Sequence, residues 1–181
     1  MQTHHIGSYL MHTFGCEGLS LVDIEELGVK DGQAVCFCFG EIDCRCHVHN
    51  YVDEGTRNVI DRLADGYFDA IKENVKRYSN LRVLVFNVVP PQHYTAPSRK
   101  FWAGSDDDRQ RYVLMMNDAI AARCNHFDYL FVDIYDASAG PDGFIDDDQS
   151  DKRMHIIEAT NLAIFLYDHL LLPGNAERAY L

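Results

Sequence analysis

A chain of 181 residues with no linker-like stretch is expected to form one domain over 1–181, and 47% apolar with 12% aromatic residues supplies enough core to exclude intrinsic disorder. A formal charge of −12 repels phosphate backbones and anionic lipid, which argues against nucleic acid and membrane partners and for a neutral small molecule. No apolar run reaches the roughly 18–20 residues of a membrane span, and Met1-Gln2-Thr3-His4-His5 lacks the basic and apolar regions of a signal peptide, so a cytoplasmic location is expected.

In chain order, residues 4–7 read as the tail of a strand and 20–27 as a short helix. A nearly continuous apolar run at 33–39 reads as a buried parallel strand, in which Cys36 and Cys38 are small buried hydrophobes. Val59, Ile60, Leu63, Tyr67, Phe68, Ile71 and Val75 recur at helical spacing, so a helix is expected over 53–78 with Asp53 as its N-cap. A second strand follows at 82–89. A second long helix is expected over 105–123, its aspartates favoured by the positive end of the helix dipole. A third strand at 128–134 and a last helix at 156–171, stopped before Pro173-Gly174, complete the pattern. This βαβ alternation predicts an α/β fold with a parallel sheet, right-handed crossovers and helices on both faces: a three-layer α/β/α sandwich.

In open sheets of this kind ligands bind outside the carboxyl ends of the strands, so the following segments 40–50, 90–102 and 135–155 are the candidate site loops. The first reads Gly40-Glu41-Ile42-Asp43-Cys44-Arg45-Cys46-His47-Val48-His49, a dense set of ionisable and metal-capable groups directly behind a strand. Two readings stand here: a pocket lining, or Asp43 and Arg45 pairing within the surface. Zinc is disfavoured, because Cys-x-Cys on an extended segment supplies neither the usual Cys-x₂₋₄-Cys spacing nor two further ligands, and no metal or other cofactor is expected. Cys16, Cys36, Cys38, Cys44, Cys46 and Cys124 are expected to be reduced thiols. In the second loop, His93 with Trp102 behind it is either a substrate contact or part of a proline-stiffened surface. The third ends in Ser150-Asp151-Lys152-Arg153-Met154-His155. There Asp151 either orients His155 for proton transfer or caps the last helix beside an exposed imidazole.

Taken together, residues 37–47 (Phe-Cys-Phe-Gly-Glu-Ile-Asp-Cys-Arg-Cys-His), Phe86-Asn87-Val88-Val89-Pro90-Pro91, and Ser150-Asp151 with His155 resemble a branch of the SGNH/GDSL hydrolase superfamily, over about Ile6 to Leu171. The resemblance implies a flavodoxin-like (SGNH hydrolase-like) fold and ester hydrolysis, with an acylated saccharide as the substrate class in view. His155 would be the general base and Asp151 its orienting acid. Gly40, Glu41 and Asp43 fall in the block that faces the substrate, and Arg45, His47 and His93 would position it. Gly15 matches a glycine whose backbone N–H faces the oxyanion. Two departures stand out. No Gly-Asp-Ser turn is present, as if Met1 began after the first strand and its nucleophile, and Ile42 replaces the oxyanion-binding Asn. Ser8, after Gly7, is the weak substitute nucleophile, and Ser150 lies in no recognisable turn. The alternatives are a non-catalytic small-molecule or saccharide-binding module that kept the pocket, and a glycan-related transferase using the same base.

Overall fold

The computed structural model describes residues 8–93 and 102–145. Helix α1 (Met11–Glu17) is followed by a 3₁₀ turn at Gly18–Ser20 and then by strand β1 (Ala34–Phe37). Helix α2 (Thr56–Val75) leads to β2 (Arg82–Phe86), and helix α3 (Asp106–Phe127) leads to β3 (Leu130–Val132) and a single helical turn, α4 (Tyr135–Ser138). The strands form a parallel sheet in the order β1-β2-β3, with Cys36 beside Leu84 and Leu84 beside Leu130. The α/β class and the parallel sheet predicted from the sequence are therefore present.

Side-chain alternation along the strands sorts the core into two parts. Phe37, Val83 and Val85 share a buried cluster with Met11 and Phe14 of α1, Ile60, Tyr67 and Ile71 of α2, and Tyr112, Met116 and Ile120 of α3. Leu84, Phe86, Val132 and Ile134 form a separate cluster on the opposite face. Both β-α-β crossovers thus bury their helices on one face, as two right-handed connections moving in the same direction along a sheet must.

Several sequence expectations need correction. Cys36 and Cys38 are exposed, because the strand carries them on the face away from α1, α2 and α3. The strands are shorter than predicted: β1 is followed by Gly40 at φ +112°, a backbone that only glycine adopts without strain, and a Cβ there would meet Val88 Cγ2 at 2.8 Å and Met11 Cε at 2.9 Å. Asp53 does not cap α2. It lies within a 3₁₀ stretch, Val48–Glu54, and Gly55 precedes the helix. The predicted helix at 20–27 is reduced to the 3₁₀ turn and further turns, while α1, which has no long apolar stripe to announce it, went unpredicted. Helix α3 starts where predicted, on a Ser105–Asp108 capping box, but runs to Phe127 and ends at Asp128 in the left-handed conformation, using the residue with which the third strand was expected to begin.

Candidate functional site

The segment after β1 winds rather than loops. Asp43–His47 forms a π-helical turn that continues into the 3₁₀ stretch, so Cys44 and Cys46 do not project from an extended chain as the sequence reading assumed. Such turns leave the backbone one residue too long per turn and often sit at functional positions. Helical spacing brings Arg45 onto Glu41, with Arg45 Nε donating to Glu41 Oε1 at 2.6 Å and Nη2 to Oε2 at 3.2 Å. Partial burial opposes the Arg45 charge, but the Glu41 bond and charge outweigh it and raise the guanidinium pKa. Glu41 and Arg45 line a cleft together with Val89, Pro91 and Gln92 from beyond β2, and Trp102, Arg109 and Val113 from the approach to and first turns of α3. The cleft holds about 240 Å³ of space open to solvent and sits beyond the carboxyl ends of β1 and β2, where the parallel sheet predicts a site.

Backbone bonds lash these segments together. Ala103 N donates to Arg45 O at 2.9 Å, and Ile145 N donates to Pro91 O at 2.9 Å. Asn117 of α3 grips the exit of β2: its carbonyl accepts from Val88 N at 2.7 Å and its amide donates to Val88 O at 2.8 Å. The buried Asn87 joins β2 to β3, donating to Asp133 Oδ1 at 2.9 Å and accepting from Ile134 N at 3.2 Å.

Two cations approach Trp102, the Arg45 guanidinium 5.7 Å and the Arg109 guanidinium 4.6 Å from its ring centre. Arg109 is 1% exposed, its Nη1 donates to Gly104 O at 3.0 Å, and its Nη2 is paired with Asp106. Its Nε–H is buried without a hydrogen-bond partner among the described residues. Asp106 also meets His93, whose Nδ1 lies 2.9 Å from Asp106 Oδ2 and whose Nε2 lies 2.8 Å from Asp142 Oδ2, while the ring stacks on Phe144 at 3.9 Å. The bonds to Asp106 and Asp142 raise the His93 pKa. With both ring nitrogens engaged by carboxylates, His93 is built to be an imidazolium bridge; a general base would need one nitrogen free.

The remaining sequence candidates are distributed as follows. Glu41 and Arg45 line the cleft and His93 stands beside it through Asp106. Gly40 supplies the turn that leads into the wound segment. Asp43 is buried and turned to the N-terminus of α1, accepting from Met11 N at 2.7 Å and His12 N at 3.2 Å; burial pushes its carboxyl pKa up against the pull of those donors. Gly15 lies within α1, where a Cβ would come 2.9 Å from the Gly66 carbonyl carbon of α2, so its place is a helix contact. His47 is half-buried on the π-helical turn, and His49 Nδ1 lies 2.8 Å from the Tyr112 hydroxyl. Ser8 is exposed and does not line the cleft. Asp151 and His155, with Ser150 and the helix expected at 156–171, lie outside the described residues, as does the strand tail at 4–7. Sequence reasoning missed Arg109, Asn117 and Asn87. Arg109 had a readable signal, a cation one turn past Ser105 in an otherwise acidic first turn.

Among the described residues no group of three or more His, Cys, Asp or Glu side chains is placed to hold a metal ion, and no helix is long and apolar enough to cross a membrane.

Parallel strands joined by helices, with a cleft beyond their carboxyl ends, define a protein of the α/β class with a parallel sheet. The chain is similar in fold to a solved structure from Streptococcus pneumonia described as a "putative platelet activating factor", with a TM-score of 0.61 and 15% identity over 89% of this chain and 68% of that one. At that identity the likeness concerns fold alone. No family model and no curated protein matches the chain.

Proposed function

We propose that this protein is an SGNH/GDSL-type, hydrolase-like protein whose ligand is an ester, with an acylated saccharide as the substrate class. The fold would be the three-layer, flavodoxin-like sandwich of that superfamily, with α1, α2 and α3 packed on one side of the sheet. The observation that carries the reading is the meeting of Glu41 and Arg45 from beyond β1 with Pro91 and Gln92 from beyond β2 in one cleft, the two motif-bearing segments that the resemblance singles out. Arg45, in the cleft, would hold the substrate, and Asp151 with His155 would move protons.

The place of Ser8, exposed and away from the cleft, favours a second reading: a saccharide-binding module that retained the pocket without a nucleophile. Incubation of the full chain with an acetylated methyl glucoside, following acetate release, separates the two. Turnover that falls about a hundredfold or more in His155→Ala supports the hydrolase, since loss of a triad member is that severe. Labelling by a fluorophosphonate that Ser8→Ala abolishes would place the nucleophile. Binding of the glucoside with neither turnover nor labelling supports the module.

A further inference from the structure

We propose that Arg109 is a ligand-binding group of the cleft, and that the acceptor it takes is an uncharged oxygen, an ester carbonyl or a sugar hydroxyl, rather than a carboxylate or phosphate. The inference rests on the cleft being the ligand site. A guanidinium 1% exposed carries five N–H donors, and leaving its Nε–H buried without a partner is costly unless something arrives to accept from it. Nη1 donates to Gly104 O and Nη2 to Asp106, and the Nε–H is the buried donor left without a partner among the described residues, on a side chain that lines the cleft. That geometry receives one oxygen.

Charge decides which kind. The cations at the cleft are already matched by carboxylates, Arg45 by Glu41, Arg109 by Asp106, and His93 by Asp106 and Asp142. A ligand bringing a further negative charge would enter a balanced, partly desolvated group against a chain of net charge −12. A neutral ligand disturbs no balance, and Val89, Pro91, Val113 and the indole of Trp102 offer apolar surface for its carbon face.

Trp102 is the one tryptophan of the sequence, so its fluorescence reports on this cleft alone. The full chain is titrated with a methyl glucoside bearing one acetyl ester, and in parallel with glucuronate and acetate. Expected are a saturable change in emission with the ester and none with the anions over the same range. Arg109→Lys keeps a cation for Asp106 but lacks the Nε–H, and should weaken ester binding about tenfold to a hundredfold with an unchanged circular dichroism spectrum. Should that variant not fold, the unaltered chain still decides, because bound ester must shield Trp102 from acrylamide quenching. No saturable response, anions binding as tightly as the ester, or Arg109→Lys within twofold of the parent overturns the proposal. Binding sensitive to Arg109→Lys without ester turnover retires the hydrolase reading and leaves this one standing. Turnover with KM unmoved by Arg109→Lys does the reverse.

Discussion

His93 is held from both sides, by Asp106 on α3 and by Asp142 on the 139–145 loop, with Arg109 sharing Asp106 and Phe144 beneath the ring. The bonds to the two carboxylates raise its pKa above the ordinary 6.5. Its contribution to stability is therefore complete below 6.5 and is lost as pH rises through the raised value. For Asp142 the sense is opposite: the His93 bond lowers its pKa from 3.8, so its contribution holds above 3.8 and is lost as pH falls through the lowered value. The bridge is then strongest in the mildly acidic range between the two. Because His93 is 53% exposed at its side chain, screening by water keeps the effect small, and the fitting measurement is the titration itself. The imidazole proton signals of His93 should titrate with a midpoint above 6.5. Asp142→Asn should lower that midpoint, and a midpoint at or below the ordinary value in the parent would contradict the bridge. Nothing in the spacing of His93, Asp106 and Asp142 along the sequence foretells this trio, since it depends on three separate segments closing on one another.

Among the elements, α1 and α2 show how a glycine that looks catalytic is spent on packing. Gly15 lets the two helices touch backbone to backbone, with Gly66 opposite it. The contact is asymmetric. A methyl group on Gly15 would stand 2.9 Å from the Gly66 carbonyl carbon, whereas one on Gly66 would reach only to 3.6 Å from Gly15 Cα, an ordinary contact. Gly15→Ala should therefore force the helices apart and cost about 1–3 kcal/mol in urea unfolding. Gly66→Ala, in the interior of α2, should be neutral or stabilise by up to about 1 kcal/mol through helix propensity. Equal losses for both would refute this account of the interface. The long elements were legible beforehand because their apolar residues repeat at helical or strand spacing over many positions, as in Val59, Ile60, Tyr67, Phe68 and Ile71 of α2. Their ends were not. Gly55, Gly40 and Asp128 settle the boundaries through single backbone conformations that carry no periodic signal.

At the scale of the whole fold, among the described residues, the sheet separates a helix-packed side from a side where Cys36 and Cys38 are exposed. Cys44 and Cys124 belong to the core shared by the helices, while Cys36 and Cys38 are exposed on the other face and Cys16 is exposed on α1. Desolvation, with the Glu41 charge beside Cys38, nevertheless raises the thiol pKa of Cys36 and Cys38, so fewer of them are thiolate at neutral pH. A maleimide applied to the native chain should label Cys16 first, Cys36 and Cys38 more slowly, and Cys44 and Cys124 only after unfolding. Early modification of Cys44 or Cys124, read by mass spectrometry of digested protein, would contradict the arrangement of layers. At this scale the alternation of strands and helices was enough to foresee the α/β class and the end of the sheet where the cleft lies. The motif segment after β1 was foreseen as a place but not as a shape, because a π-helical turn differs from a loop by hydrogen bonds that composition does not encode.

The grip of Asn117 on Val88 has a dynamic corollary. One amide side chain replaces the neighbouring strand that Val88 no longer has, occupying both its N–H and its C=O two residues past the end of β2. In deuterated solvent the Val88 amide should thus retain its proton as long as those of the sheet interior do, and Asn117→Ala should release it early. The exit of β2, one residue before Val89 of the cleft, would then be anchored as firmly as the core.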